Sequence, residues 1–586
     1  MLKRTLPTTL LIVLACAPAA AAAPRAHTAA EERAEASLQE AEQLLDGRGV
    51  RTGRELTLAL HELATRVRHL RSDERERAIA LLSRPTDGDA PADERYTLAE
   101  EVPLCDANFC VHWVAGGLDA ASLVQAQLAL AEANAVRAFQ NGTLGWREPP
   151  SDGDGRVDIY LKELGADRLF GFAATDPGQR RVSQHSYLVI DNDFDPAQYD
   201  GVPALESLRV TLAHEYAHVL QYGYDVLADN WHFESSAVWM EQRMYPEIQD
   251  WLRFVEDRSS GEGWSSLTEL SLTYFEPRPD DEDALDPRTA KPYGDVVWND
   301  FLGARYGAAG DALQRGTWER SNGLEVPSTA AFDAAIRAAG GGGLAADFAR
   351  FSAAVAEWRV PAAPFPTPSQ LPDVERRGEL VQDGAPARLM MDHLTFALYE
   401  IPATADPIRL AASFPEGLSA AIALVGRSGG SDTGEVTTEV RRLRNGGVGG
   451  VTLRQPARFY ESGGRVTAVL VNSDTAHGQW DESIGDWSWV REDQLVSAGV
   501  SSDTRDPRAS LRRFRLRSRD TDRLLFEAEL RQAGKTVGRR SGRIRPGATR
   551  RLRFAGSERG RARLVVQLTD ASANTKRLAR RLRLAP

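Results

Sequence analysis

The feature that most limits what this chain can fold into is a change of hydrophobic period at a proline-rich stretch, residues 360–372 (VPAAPFPTPSQLP). Before it, apolar residues recur at helical spacing over long runs; after it, they come in short runs between glycine turns. Neither one helical bundle nor one sheet can satisfy both patterns. At 586 residues the chain also exceeds what a single hydrophobic core organises. The expectation is a multidomain α+β protein whose α-rich part precedes an all-β part.

The helical part subdivides. Residues 29–83 place Leu38, Leu44 and Leu45 near one face, then repeat Leu56, Leu58, Leu60, Leu63, Val67 and Leu70. Arg84-Pro85-Thr86-Asp87-Gly88 stops the pattern. Residues 109–114, DGRVDIYL (154–161) and SYLVIDND (186–193) read as strands, and 120–139, 204–222 and 230–244 as helices. Helical pattern resumes over 294–357. Beyond the prolines, 394–399, 465–471 and 511–516 read as strands of two small antiparallel modules, broken near 503–507. The expected divisions are 1–23 signal peptide, 24–100 helical leader or propeptide, 101–359 catalytic domain, 360–375 linker, 376–500 β-sandwich module and 501–586 Arg-rich β module.

The N-terminus reads as an export signal. Lys3 and Arg4 precede the apolar run LLIVLACA (10–17), and alanines to Ala23 offer a cleavage site. No run approaches the roughly 18 apolar residues of a transmembrane helix. Secretion is the favoured outcome; the alternative is a lipid anchor at Cys16. Cys105 and Cys110, five apart in an exported chain, are expected to pair. Charge is uneven: the whole chain carries −12, yet residues 501–586 hold 25 Arg+Lys against 8 Asp+Glu. That basic module suits an anionic cell-surface polymer. It has no aromatic stacking platform or recognition helix, so no nucleic-acid partner is expected.

His214-Glu215-Tyr216-Ala217-His218 carries the chemistry. On a helix, positions i and i+4 share a face, so both imidazoles can reach one metal ion. Neutral imidazole suits Zn²⁺, and Glu215 lies where it can hold a water beside the metal. No Gly or Pro interrupts residues 204–222. Sixteen residues past His218 a second helical run contains Trp231, Glu234, Ser235 and Ala237, with Asp229 or Asn230 as its cap. Glu234 would face the first helix.

This pair resembles the gluzincin zinc peptidases, the group holding thermolysin and the zinc aminopeptidases. The aminopeptidases follow HExxH with W-x-x-E-G-x-A. Trp231, Glu234 and Ala237 match, while Ser235 replaces the Gly. The thermolysin E-x-x-x-D pattern is absent, since Val238 stands at the Asp position. More specifically, residues about 30 to 480 resemble a group of exported bacterial proteins taken to be metalloproteases on the strength of the same motif. They share a helical leader, a C-x-x-x-F-C-V-H segment (Cys105 to His112), a D-G-x-x-D-V-Y-L strand (Asp154 to Leu161) and a β-rich C-terminus. The resemblance implies a zincin-like fold followed by immunoglobulin-like sandwiches. It implies His214, His218 and Glu234 as zinc ligands and Glu215 as general base. Tyr293 lies near where aminopeptidases place their transition-state tyrosine, with Tyr274 and His232 as rivals. The activity implied is an exported zinc metallopeptidase acting on protein or peptide. The alternatives are a zinc aminopeptidase, whose G-x-M-x-N motif is not visible upstream of His214, and a catalytically silent cell-surface binding protein.

Two acidic segments, Asp152 to Asp158 and Asp191 to Asp195, have the alternating carboxylates of a calcium loop, although the closing Glu of an EF-hand is missing; Ca²⁺ is a secondary cofactor expectation. An acidic run at 279–283 would rim the cleft and favour basic substrates.

Overall fold

The computed structural model describes residues 28–50, 52–179, 182–256, 263–275, 287–321, 326–475, 479–481, 486–488, 493–554 and 560–584. The signal peptide, Cys16 and the acidic run 279–283 lie outside the described residues. The chain is a mixed α+β protein: a helical N-terminal region, a mixed sheet, then several all-antiparallel sheets.

Three helices open the fold: α1 (Ala29–Leu45), α2 (Glu55–Arg66) and α3 (Ser72–Leu81). Thr28 and Glu31 form a capping box that starts α1. The leucines Leu38, Leu44, Leu56, Leu60 and Leu63 pack together and against Tyr160, Phe172, Tyr187 and Val189, which form one face of the central sheet. The leader is therefore a layer of the structure, not an appendage.

That sheet has five strands: β1 (Leu104–Cys105), β2 (Phe109–His112), β3 (Val157–Lys162), β4 (Gly171–Thr175) and β5 (Ser186–Asp191). Their order is β1-β2-β3-β5-β4. β2, β3 and β5 are parallel; β1 and β4 flank them antiparallel. Cys105 and Cys110 stand directly opposite each other on β1 and β2 and form a disulfide. Helices cover both faces, which is why β3 and β5 are apolar in continuous runs and do not alternate. β4, GFAAT, has no β-branched run and escaped the sequence reading; pairing with β5 holds it as a strand.

On the other face lie α4 (Leu123–Arg137), α5 (Ala204–Tyr224) and α6 (Asn230–Met244). Leu212, Ala213, Tyr216 and Ala217 of α5 join Phe109, Ile159, Leu188 and Ile190 in the main core. Asp229 is the first-cap residue of α6, but its carboxylate accepts from the backbone N–H and hydroxyl of Ser328 in place of the helix. Helices α7 (Leu252–Val255), α8 (Lys291–Gly294), α9 (Val296–Tyr306), α10 (Gly310–Trp318), α11 (Ser328–Ala338) and α12 (Leu344–Val355) complete this body.

The proline-rich stretch is not a free spacer. Val360, Phe365 and Leu371 are buried, and the Trp358 indole N–H donates to the Pro372 carbonyl at 2.6 Å. After it come β6 (Ala387–Met391), β7 (Thr395–Ile401), β8 (Ile408–Phe414), β9 (Ala420–Ser428), β10 (Glu435–Leu443), β11 (Gly447–Leu453), β12 (Arg465–Asn472), a hairpin of β13 (Gln479–Asp481) and β14 (Asp486–Ser488), and β15 (Gln494–Ser501). They build two facing sheets, β10-β9-β12-β7 and β11-β8-β15-β6. In β7, β9 and β12 one set of residues (Ala397, Ile422, Leu470) faces the second sheet, while the other (Phe396, Ala423, Val469) belongs to the main core with the helices. Both faces are buried, so these strands too lack alternation.

The last sandwich pairs β16 (Ala509–Arg512), β17 (Arg515–Ser518) and β20 (Thr549–Arg551) with β18 (Leu524–Gln532), β19 (Lys535–Ile544), β21 (Gly560–Thr569) and β22 (Thr575–Leu584). Residues 511–516, expected as one strand, are a tight hairpin: Leu511 faces Leu516, and Arg513 turns the chain at φ +49°.

Glu357, 4% exposed, ties the helical body to the first sandwich by pairing with Arg427 of β9 and Arg465 of β12 at 2.7 and 2.6 Å. Removing it strands two cations near the interface. Glu357→Ala is expected to cost about 3–5 kcal/mol of stability in a denaturant titration. A loss under about 1 kcal/mol, the range of a solvent-exposed pair, would show this cluster to be dispensable.

Candidate metal centre

α5 carries His214, Glu215 and His218 on its inward face, and α6 brings Glu234 across to them. Nε2 of His214 and Nε2 of His218 are 3.1 Å apart; the Glu234 Oε2 atom is 3.2 Å from the first and 3.8 Å from the second. Among the described residues this is the place where three potential metal ligands converge, and all three are fully buried. Tetrahedral bonds of about 2.0–2.2 Å put neighbouring ligand atoms about 3.3–3.5 Å apart, which these separations bracket. Both oxygens of Glu234 lack a hydrogen-bond partner. A buried, unpartnered carboxylate facing two imidazole lone pairs is a costly arrangement unless a cation completes it. The residues thus fit a metal ion such as zinc.

Each imidazole is held by its other nitrogen. His214 Nδ1 lies 2.6 Å from Glu241 Oε1, and His218 Nδ1 lies 2.7 Å from Gln221 Oε1. Gln221 is itself fixed, donating to the Phe233 carbonyl and Ser236 Oγ at 3.1 and 3.0 Å. With Nδ1 donating to these oxygens, Nε2 keeps its lone pair toward the centre. Glu241 stands seven residues after Glu234, two turns along one face of α6.

Burial sets the protonation states. It pulls His214 well below the usual imidazole range and His218 down to about 3, so both are neutral. It lifts Glu215 to about 7, opposed by the Thr57 hydroxyl, the Arg54 charge and the Ala173 N–H. Glu234 is raised well above the carboxylate range, first by burial and then by the neighbouring Glu215 charge.

Tyr293, on α8, reaches the centre. Its ring stacks 6.3 Å from that of His214 and 4.9 Å from Phe254. Of its rivals, His232 is turned away, bonded to Thr317 Oγ1 at 3.0 Å and stacked on Trp318 at 4.5 Å. Tyr274 is half-buried. The two acidic segments are otherwise engaged. Arg84 pairs with Asp152 and Asp158, and Asp191 accepts from the backbone N–H groups of Leu164, Gly165, Asp193 and Phe194.

Sequence reasoning missed the residues that close the site from the leader. Arg54 Nη1 lies 3.0 Å from His214 Nδ1 and pairs with Glu241, while its Nη2 meets Asp250 Oδ2 at 2.9 Å. The Thr57 hydroxyl donates to Glu215 Oε2 at 2.8 Å and accepts from the Ala173 N–H at 3.0 Å.

No protein-family model matches the chain, and no curated protein does. Among solved structures it is similar to a GH2 beta-galacturonidase from Eisenbergiella tayi bound to galacturonate: 13% identity, TM-score 0.11, covering 33% of this chain and 36% of that one. It is also similar to the CupB2 chaperone of Pseudomonas aeruginosa: 11% identity, TM-score 0.13, covering 35% of this chain and 97% of that one. The chain spans about a third of the galacturonidase's length. Likenesses this slight say nothing of activity. The molecule's own features define an α+β protein with a His-His-Glu group able to hold a metal ion. The particular function follows from the chemistry of that group.

Because burial raises the pKa of the Glu234 carboxyl, which must be ionised to bind a cation, zinc uptake should release a proton. Zinc affinity, measured by chelator competition between pH 6 and 7, should rise by up to about tenfold per pH unit. Flat affinity over that interval would place the Glu234 proton elsewhere.

Proposed function

We propose that this chain is an exported zinc metallopeptidase of zincin type that hydrolyses peptide bonds within polypeptides. The observation that carries the reading is the unpartnered Glu234 carboxylate facing two neutral imidazoles, with a second buried carboxylate, Glu215, beside them on α5. When bound, zinc would supply a Lewis acid for the scissile carbonyl and lower the pKa of an attacking water.

The chain's own groups have matching tasks. Glu215, lifted to about 7, suits proton transfer near neutral pH: it accepts from the attacking water and passes the proton to the leaving amine. Tyr293 keeps its proton because burial pushes its pKa well up, so its hydroxyl stays a donor for the developing oxyanion. Glu241 and Gln221 hold the imidazoles in register. Glu215→Gln is expected to keep one zinc per chain and lose casein hydrolysis by at least about a hundredfold. Full activity in that variant would remove Glu215 from the role of base. In Glu234→Ala the metal itself should be lost, read by elemental analysis; stoichiometric zinc there would strike Glu234 from the ligand set.

One observation favours a second reading. Every member of the centre is sealed from solvent, as in a silent surface-binding protein whose metal group is structural. Casein cleavage abolished by a zinc chelator and restored by zinc decides between the two.

The terminal sandwich is proposed to hold an anionic cell-surface polymer. Arg512, Arg515 and Arg551 stand directly opposite one another across β16, β17 and β20, and all are exposed. Like charges in one cross-strand row repel, and an anion laid along the row relieves that. Arg512→Ser, Arg515→Ser and Arg551→Ser together should lower retention on an anionic column, shifting elution to lower salt, with proteolysis unchanged. Unaltered elution would mean that this row binds nothing.

A further inference from the structure

The tip of the leader does more than cover the sheet. Thr52 to His61 cross the metal centre and bond to groups that a reacting centre would leave free. Thr57 occupies one oxygen of Glu215, Oε2, while Oε1 has no hydrogen-bond partner. The Gly53 carbonyl accepts from the Phe170 N–H at 3.0 Å and Thr57 Oγ1 from the Ala173 N–H. Ala173 lies on β4, the edge strand of the sheet, and Phe170 directly precedes that strand. His61 closes the far end, stacked 5.3 Å from Tyr222 and packed 4.9 Å from Phe233.

Arg54 occupies a pocket built for a cation. Glu241 and Asp250 pair with its guanidinium, and the rings of Phe170 and Phe254 flank it at 6.0 and 5.8 Å. The side chain is 1% exposed. Emptied, the pocket would hold two carboxylates with Arg253, 3.2 Å from Asp250 Oδ2, as a remaining cation among the described residues. Buried acids in that state call for another cation. Extended peptides characteristically add along an open sheet edge and place side chains in adjoining pockets. The leader reaches this edge from within the chain through one backbone bond, Phe170 N–H to the Gly53 carbonyl, and through the Thr57 hydroxyl of α2.

We propose that residues 52–54, the turn that leads into α2, are a built-in pseudosubstrate. They hold the centre closed, and the Arg54 pocket takes a cationic side chain of the polypeptide substrate once they move aside. The substrate half rests on the peptidase reading; the closure half does not. The body of the leader need not leave, since α1 to α3 cover the other face of the sheet. Only the tip has to swing. Gly53 is where it is most easily dislodged. Its φ is +80°, and a Cβ there would lie 2.6 Å from the Phe170 ring and 2.8 Å from the Arg168 carbonyl.

The test uses the full chain loaded with Co²⁺, whose visible spectrum reports ligands entering the centre, and two probes: arginine hydroxamate and leucine hydroxamate. The wild type should respond weakly. Gly53→Ala and Arg54→Ala, each confirmed folded by circular dichroism, should bind arginine hydroxamate at least about tenfold more tightly, because the closed state no longer competes. In the Gly53→Ala background the arginine probe should outbind the leucine probe, and adding Asp250→Asn should erase most of that preference. A synthetic peptide of residues 50–64 should displace the probes. Equal binding by wild type and opened variants overturns closure; equal binding of the two probes by the opened variant overturns the cationic pocket. Opened variants that take the probe yet cleave no peptide leave closure standing and remove the peptidase reading instead.

Discussion

A carboxylate buried without a hydrogen bond governs the rest of this structure. Glu234 is fully enclosed by α5, α6 and α8, and neither oxygen has a partner. Such a group destabilises the fold by several kcal/mol unless it is neutralised or given a cation. Around it, two imidazoles are held neutral with their Nε2 atoms turned inward. The oxygens of Glu241 and Gln221 take up their outer nitrogens. Oxygens without a hydrogen-bond partner gather around this point: both of Glu234, Oε1 of Glu215 and Oε2 of Glu241.

The leader belongs to the same problem. A sheet whose strands are apolar on both faces needs a layer on each side. α1 to α3 provide one, and α4 to α6 the other. The price of using a chain-terminal segment as that layer is that its tip must go somewhere, and it goes into the centre. Arg54 compensates Glu241 and Asp250, two acids that the centre gathers for other reasons. Covering the sheet and closing the site are thus consequences of one helix, α2, lying along the edge strand.

How much of this was legible in the sequence depended on how local each signal was. The HExxH pair is set by one turn of helix, so spacing alone placed His214, Glu215 and His218 together. Glu234 needed the resemblance as well, because the crossing of α5 and α6 is not written in either run. Glu241 and Gln221 lie at i+7 from Glu234 and i+3 from His218. The same periodicity pointed to them, but polar residues at helical spacing usually face water. Arg54, Thr57 and Asp250 gave no signal: their contacts span up to 196 residues, and nothing near them in sequence marks a site. β4 was hidden because glycine and alanine carry little strand preference and pairing with β5 supplies the rest. The proline-rich stretch looked like a spacer by composition, yet Phe365 and Leu371 within it are core residues.

The two β sandwiches are joined to the site in different ways, which separates what they can contribute. The first is continuous with the main core. Phe396 of β7 packs against Trp264, whose indole N–H donates to Asp295 at 2.7 Å, and Asp295 pairs with Lys291 of α8, the short helix that bears Tyr293. The segment leading to that helix is stitched to the sandwich by backbone bonds, Leu272 to Leu394 and Phe396 to Thr268. A shift of β7 would therefore move the tyrosine relative to His214. The terminal sandwich has its own core and meets its neighbour mainly through polar contacts, Arg409 to the Ser572 and Ala573 carbonyls and Ser572 to Ser501. Among the described residues no comparable chain of packed rings runs from it to the centre. The first sandwich is accordingly part of what shapes the metal centre, while the arginine-rich one is free to serve attachment without disturbing it.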